Sequence, residues 1–535
     1  MILENIDFPS LLIPLFGYLE MHYRFPFFPY SRYFKKEPEI YTDAPHRINP
    51  DEKLPISVIV KDADKYPIYL NSVSIKIKSS GFKDINKNIN INKSINKHWF
   101  DQIFNIDVSN CSGNISIWVT INILVNGKNK SIINHNVNTT GPYLLKSYID
   151  TERLPASDKY WWGDLHYHSN YTEDFVEFGA SIMSTQSAAK ALGLSFVAIT
   201  DHSYDLDDKI GGWTETDPQL KKWKLSREEI KKADQSDQPL LIPGEEVTVS
   251  NSKNNNIHML VLNHPNFIAG SGDGAENFFH TRSEHSTDEV LESLTSNDIA
   301  IAAHPFMFIP FLQRLLLKRS SWEQADCDHD KLSGFQIVNG DDGLSIKNSI
   351  SIWSTMLLSG KRTFIYAGND AHGNFNRFHQ IKLPMLSTHT NYDQIFGQYR
   401  TGIMQTGELS IEQLIQQLKN GKCVVSNGPS INMNYTNNTS VYSLGDTIIS
   451  NNISFNVECK SSVLFGALYT FTVYQGIIGD QKESSIFQKQ WDTNSHSDTL
   501  KIPIKAIDQA AYIRCELYSG NGKFCYTNPI WISSK

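Results

Sequence analysis

Trp161-Trp162-Gly163-Asp164-Leu165-His166-Tyr167-His168-Ser169 decides how this chain reads. An apolar run ends there in two histidines spaced i and i+2. On a β-strand that spacing puts both imidazoles on one face. Working outward, the same punctuation recurs. His202 closes Ser195-Phe-Val-Ala-Ile-Thr-Asp-His, Glu246 falls just past Leu240-Leu-Ile-Pro-Gly-Glu, and His304 closes Ile299-Ala-Ile-Ala-Ala-His. Asp370 and His372 follow Phe364-Ile-Tyr-Ala, again as an i, i+2 pair, whereas His258 opens its run, Ile257-His-Met-Leu-Val-Leu. Asp174 lies shortly after the first pair. A lone histidine is more often a core or surface residue. Six histidines and three carboxylates gathered at the ends of apolar runs read as a metal site holding more than one ion. Imidazole plus carboxylate without thiolate suits Zn, Mn or Fe and argues against a closed structural zinc site.

The runs alternate with helix-like stretches such as Ser184-Thr-Gln-Ser-Ala-Ala-Lys-Ala-Leu-Gly-Leu. Strands alternating with helices predict a parallel α/β architecture, for which a barrel is the natural closure, with its chemistry at the C-terminal strand ends. On either side the pattern is β. Ile115-Ser-Ile-Trp-Val-Thr-Ile-Asn-Ile and Ile453-Ser-Phe-Asn-Val-Glu alternate apolar and polar residues with period two. The expected organisation is an apolar N-terminal segment at 1–40, a β-sandwich-like domain at 41–155, the metal-bearing unit at 156–430 and a C-terminal β-domain at 431–535. Phe311-Leu-Gln-Arg-Leu-Leu-Leu-Lys-Arg interrupts the rhythm as an amphipathic helix, expected as core or lid.

A chain of 535 residues needs several cores. Its 40% hydrophobic content suits a folded protein, and a net charge of −8 without a basic run excludes a nucleic-acid footprint. The six cysteines form no Cys-x-x-Cys pair, which reads as reduced thiols in a cytoplasmic protein. Phe8-Pro-Ser-Leu-Leu-Ile-Pro-Leu-Phe-Gly-Tyr-Leu is too short and too interrupted for a transmembrane segment. Oligomerisation is left open.

Taken together, His-x-His, Thr-Asp-His, Pro-Gly-x-Glu, a following His, His-Pro and Asp-x-His stand in the order of the PHP (polymerase and histidinol phosphatase) superfamily of metallohydrolases, which residues 160–430 resemble. Tyr160-Trp-Trp-Gly-Asp-Leu-His, Ser426-Asn-Gly-Pro and Thr527-Asn-Pro-Ile-Trp resemble its CehA/McbA-like branch. The resemblance implies a distorted (β/α)7 barrel with two or three divalent ions (Zn, Mn or Fe). It implies a first ion on His166, His168, Glu246 and Asp370. Glu246 would bridge to a second on His258 and His304, and Asp174, His202 and His372 would hold a third. The superfamily often has histidine where Asp174 stands, and Glu173 is the adjacent alternative. Asp201 is expected to orient a ligand, as metal-bound histidines usually require, and Glu245 to do likewise or to be solvated.

Bound divalent ions outweigh the carboxylates that hold them, so the centre favours a small anionic substrate or a developing oxyanion. No Ser-His-Asp elbow or phosphate-cradling glycine loop is evident, which leaves a metal-bridging hydroxide as the nucleophile. The expected activity is a phosphoesterase, with Glu246, His304 and Asp201 in the catalytic set. Carboxyl-ester, carbamate or amide hydrolysis on the same centre is the alternative, and a non-catalytic metal- or carbohydrate-binding protein the reading from another class. Arg377, shortly after His372, and Arg282, beside His280 and His285 in a glycine-rich excursion, are the candidate substrate-binding cations or else solvated loop residues.

Overall fold

The computed structural model describes residues 36–79, 81–136, 143–173, 178–235, 237–274, 281–309, 311–340, 343–376, 394–437, 440–450, 453–505 and 508–533. The apolar stretch at Phe8 and the residues Asp174, His280 and Arg377 lie outside them. No helix among the described residues is long and apolar enough to cross a membrane.

The N-terminal region forms two antiparallel-rich sheets around one apolar core. Glu39–Asp43, Leu54–Lys61 and Trp99–Ile106 make the smaller sheet. Ile68–Ser79, Ile85–Ile95 and Gly113–Val125 lead the larger one. Period-two alternation sets the register. In Gly113–Val125 the residues Ile115, Ile117, Val119, Ile121, Ile123 and Val125 are buried while their neighbours are not. Val58 and Val60 of the smaller sheet share their core.

The region that carries the candidate ligands is built on a long mixed sheet. Its hydrogen-bonded order begins Phe364–Ala367, Leu332–Val338, Ile299–Ala302, Asn256–Leu262, Leu240–Ser250, Phe196–Ile199, Tyr160–His168, Arg400–Met404, Cys423–Ser426. All of Tyr160–His168 is buried, which is why it reads as continuous rather than alternating. Ile182–Leu192 connects it to Phe196–Ile199. Ser181 accepts from the Ser184 N–H at its start, and Gly193, at φ 82°, returns its own N–H to the last carbonyls.

The expected (β/α)7 barrel is not formed. The ladder is a strand-dominated path in which two parallel triplets, Tyr160–His168/Phe196–Ile199/Leu240–Ser250 and Ile299–Ala302/Leu332–Val338/Phe364–Ala367, are joined through a reversed strand, and Ala371–His372 pairs in parallel with Tyr160–His168. Asn256–Leu262 runs antiparallel to both Leu240–Ser250 and Ile299–Ala302, and Arg400–Met404 runs antiparallel to Tyr160–His168. The physical reason is the connection. A parallel neighbour needs a crossover of a dozen or so residues. Ser250 reaches Asn256 through a tight turn in which Asn251 N–H donates to Asn255 C=O and Asn254 takes φ 57°.

The C-terminal strands divide between the central sheet and a sheet of their own. Cys423–Ser426 pairs with Phe524–Thr527, and the central sheet continues through Ala511–Ser519, Leu468–Ile477 and Ser484–Gln490. Ser430–Thr436, Ile453–Lys460 and Ser497–Ile504 form a second layer. Phe455 and Val457 of that layer share one core with Ile182 and Val197. The six cysteines are buried thiols. In the 306–334 interruption the expected amphipathic helix is short, Phe311–Leu316, and a 3-10 turn follows at Asp326–Asp328. Phe311 and Leu315 are exposed, so the helix is not core.

Candidate metal centre

The sheet brings its ligand-type residues to one edge. His166 and His168 end their strand, while His202, His304 and Asp370 follow theirs. Because Asn256–Leu262 is reversed, the residue opening it lies at the same edge, and His258 pairs in register with Thr248. This accounts for the one histidine that starts its apolar run. The register shifts between Asp164 and Tyr167 against Phe196–Ile199, so the ladder is irregular at the first pair. His304 at φ 29° and Asp370 at φ 50° hold left-handed backbone that is costly for residues with a Cβ, a strain that clusters at functional sites.

Glu246 is the hub. Its Oε2 lies 3.2 Å from His166 Nε2, 3.2 Å from His168 Nε2 and 3.0 Å from His202 Nδ1. Its Oε1 lies 2.6 Å from His258 Nδ1 and 3.0 Å from His304 Nε2. Asp370 Oδ1 faces His168 Nε2 at 3.0 Å and His166 Nε2 at 3.4 Å. His372 stacks on His168 with ring centroids 4.2 Å apart. Three overlapping groups could hold an ion: His166, His168, Glu246 and Asp370; His202, Glu246 and His258; and His168, His202 and His372. In each, the candidate ligand atoms lie within 4.8 Å of one another.

The outer contacts aim these rings. His166 Nδ1 is 2.8 Å from Gln336 Oε1, an acceptor, so Nδ1 carries the proton and Nε2 turns a lone pair to the centre. Gln336 Nε2 donates to Asn339 Oδ1, and Asn339 Nδ2 donates to Asp370 Oδ2, so one amide relay fixes two ligands. His258 Nε2 is 2.8 Å from Asp273 Oδ2, which leaves Nδ1 facing Glu246. Arg319 also reaches this ring, with one guanidinium nitrogen 3.2 Å from His258 Nδ1. Asp164 accepts from His166 N, Asn369 N, Asn369 Nδ2 and Gly397 N, tying the first ligand strand to the segment before Asp370.

Electrostatics explain why the centre wants cations. Burial works against an imidazolium at His168, but Asp370 and Glu246 overcome it and push His168 up to about 10. At His258, burial and Arg319 are likewise outweighed by Glu246 and Asp273, and its pKa is about 9. His202 moves the other way, to about 4, through burial and the neighbouring His168 charge. Glu246 and Asp370 lie well below the carboxylate range in spite of burial, held there mainly by His258 and His166 respectively. Protons thus supply positive charge that divalent ions would supply to neutral imidazoles. Donor type, aim and charge all fit such ions.

The residues expected around the ligands take distinct places. Asp201 does not orient a ligand ring directly. Both its oxygens clamp the turn after His168, accepting from Ser169 N, Ser169 Oγ and Thr172 N. It acts through Thr172, whose hydroxyl lies 3.2 Å from His168 Nδ1. Glu245 alternates to the opposite face of its strand. It is neither solvated nor near the ligands, since it accepts from Trp223 Nε1, Arg227 and Ile268 N. Arg282 is exposed. Glu173, the alternative to Asp174, turns to the N-terminal region, 2.7 Å from His98 Nε2 and 3.3 Å from Lys61 Nζ. Asp273, Gln336, Asn339 and Arg319 were not singled out. A glutamine inside the apolar run Phe335-Gln-Ile-Val was the available signal for Gln336.

Glu173 carries a pH prediction. Although burial opposes it, Lys61 and His98 bring its pKa from 4.5 to about 2. A depressed folded-state pKa contributes stability that is present above 4.5 and is lost as the pH falls through about 2. The contribution is about 3 kcal/mol. Glu173→Gln is expected to lower the urea midpoint at neutral pH, and the gap from the unmodified protein should close as the pH is taken down this window. A gap unchanged at the acid end would reject the assignment.

No family model and no curated protein matches the chain. Among solved structures it is similar to a glycosyl hydrolase family 2 member from Bacteroides cellulosilyticus, at 10% identity and a TM-score of 0.16, covering 93% of this chain and 63% of that one. It is similar also to trypsin-activated alpha-2-macroglobulin from Escherichia coli, at 8% identity and a TM-score of 0.15, covering 94% and 24%. A Bacteroides uniformis beta-glucuronidase is matched at 10% identity and a TM-score of 0.16, covering 93% and 61%. The chain spans less than two thirds of the length of these structures. Likenesses this slight define neither a shared fold nor a shared activity.

Proposed function

We propose that this protein is a metal-dependent hydrolase acting on a phosphate mono- or diester. Glu246 carries the reading, since one buried carboxylate lies between 2.6 and 3.2 Å from nitrogens of five histidines. So many aligned ligands around one anion have no evident use in packing, where a buried charge is a burden unless paired. The order of those ligands along the chain, which resembles that of the PHP superfamily, supports the same reading without requiring a barrel.

His166, His168, Glu246 and Asp370 would hold one ion. Glu246, His258 and His304, with His202 in reach, would hold a second, and His168, His202 and His372 a third. Such ions, when bound, act as Lewis acids and bring the pKa of a water towards neutrality. The chain's own part is to hold the ligands rigid. Gln336, Thr172 and Asp273 set the imidazole orientations, and burial of the ligand strand keeps bulk water from competing.

The test is elemental analysis of the purified protein, followed by assays on p-nitrophenyl phosphate, bis-p-nitrophenyl phosphate and p-nitrophenyl acetate. Bound divalent metal with metal-dependent phosphoester turnover is expected. Turnover of the acetate alone would replace the phosphoesterase with an ester hydrolase. Because imidazoles must be neutral to bind metal, and without it His168 and His258 take up protons at about 10 and about 9, metal affinity and activity should weaken together as the pH falls below that range. Full activity and retained metal at about pH 5 would contradict the model.

A further inference from the structure

The segment joining Ile299–Ala302 to Leu332–Val338 leads back over the ligand edge and sets Arg319 against it. The guanidinium lies 3.2 Å from His258 Nδ1, and its Nε is 3.7 Å from Asp273 Oδ2. Its side chain keeps 19% exposure, while those of His258 and Asp273 keep 2% each, so Arg319 stands at the rim and they do not.

A guanidinium has only donors, so Arg319 can hydrogen-bond only the neutral form of His258, the form that also binds metal, through its Nδ1 lone pair. That same atom faces Glu246 Oε1 at 2.6 Å. Nδ1 has a single lone pair. It serves either the Arg319 N–H or an ion held with Glu246, not both. An ion on His258 therefore releases the Arg319 donor, while Asp273 remains beside Nε to keep the guanidinium near the rim. A guanidinium keeps its charge throughout the pH range of the protein. A freed planar fork of donors beside a positive centre suits a phosphoryl oxyanion, which it can bind through two parallel hydrogen bonds.

We infer that Arg319 is the anion clamp of this centre, turned from His258 to a non-bridging phosphoryl oxygen of the substrate when metal binds. The inference rests on the phosphoesterase reading and names the residue that would select a tetrahedral anion over a neutral ester.

The test compares the unmodified protein with Arg319→Ala and Arg319→Lys. Zinc affinity and stoichiometry are measured on metal-free protein, and inorganic phosphate is titrated calorimetrically into the zinc-loaded forms. Arg319→Ala is expected to bind zinc as tightly as the unmodified protein or more so, because a competitor for Nδ1 is gone. Its phosphate affinity should fall about tenfold or more, the size of a lost charge-assisted hydrogen bond. Arg319→Lys should recover part of that loss. With bis-p-nitrophenyl phosphate, KM should rise more than kcat falls. Loss of zinc from Arg319→Ala would make Arg319 a structural support of His258 and overturn the inference. So would unchanged phosphate affinity, or no phosphate binding by the unmodified zinc-loaded protein. The titration needs no turnover, so the clamp can fail while the hydrolase stands, and the reverse is also readable.

Discussion

Glu246→Gln is expected to strip the centre of its metal and lower kcat/KM for a phosphoester by about a thousandfold or more, the several kcal/mol that metal assistance supplies. The amide keeps the shape and removes the charge. It leaves one acceptor oxygen where five imidazole nitrogens now face two. The effect should extend to the metal-free protein, because His168 and His258 owe their raised pKa values in part to this carboxylate. Removing one partner of a buried ion pair costs about 3–5 kcal/mol. Metal per chain, kcat/KM and a urea titration in chelator measure the three consequences. Metal content equal to that of the unmodified protein would remove Glu246 from the centre.

Gly368→Ala should be nearly as damaging, although the residue touches no substrate. A Cβ there would lie 2.6 Å from His166 Cβ and 2.7 Å from His166 N, with Gln336 Nε2 at 3.1 Å. The nearest atoms belong to a buried strand, so they have little room to give. Overpacking of this kind costs about 1–3 kcal/mol and more where backbone must move. Two ligands share the strain, since Asp370 N–H donates to His166 C=O at 2.8 Å. A lower urea midpoint together with lost metal is the expected outcome. Gly520→Ala is the control, because its nearest contact would be an ordinary 3.8 Å. Equal behaviour of the two variants would refute the close-approach argument.

What the sequence made legible was the local chemistry. The i, i+2 spacing of His166 and His168 announced convergence, and their rings lie 5.1 Å apart. The alternation in Ile115–Val125 announced a half-buried strand. Strand direction was not legible. A fully buried run such as Ile257–Leu262 looks the same read either way, and only the short Ser250–Asn256 turn betrayed its reversal. The partners of the ligands were equally hidden. Asp273 sits in a glycine-rich stretch that reads as loop, and Arg319 sits in a run read as amphipathic helix. Thr-Asp-His suggested a carboxylate on a ligand ring, whereas Asp201 organises the turn that carries Thr172.

The reversed strand also bears on the order in which the centre assembles. Glu246 and His258 are 12 residues apart on one antiparallel hairpin, while His168 and Asp370 are separated by 202. Hairpins close in microseconds, but long-range pairings must first overcome a large loop entropy. A folding chain can therefore offer an ion this hairpin's two ligands early and the rest only once both parallel triplets have joined. Metal should leave the refolding rate almost unchanged and slow unfolding, acting as a latch on the finished sheet rather than as its nucleus.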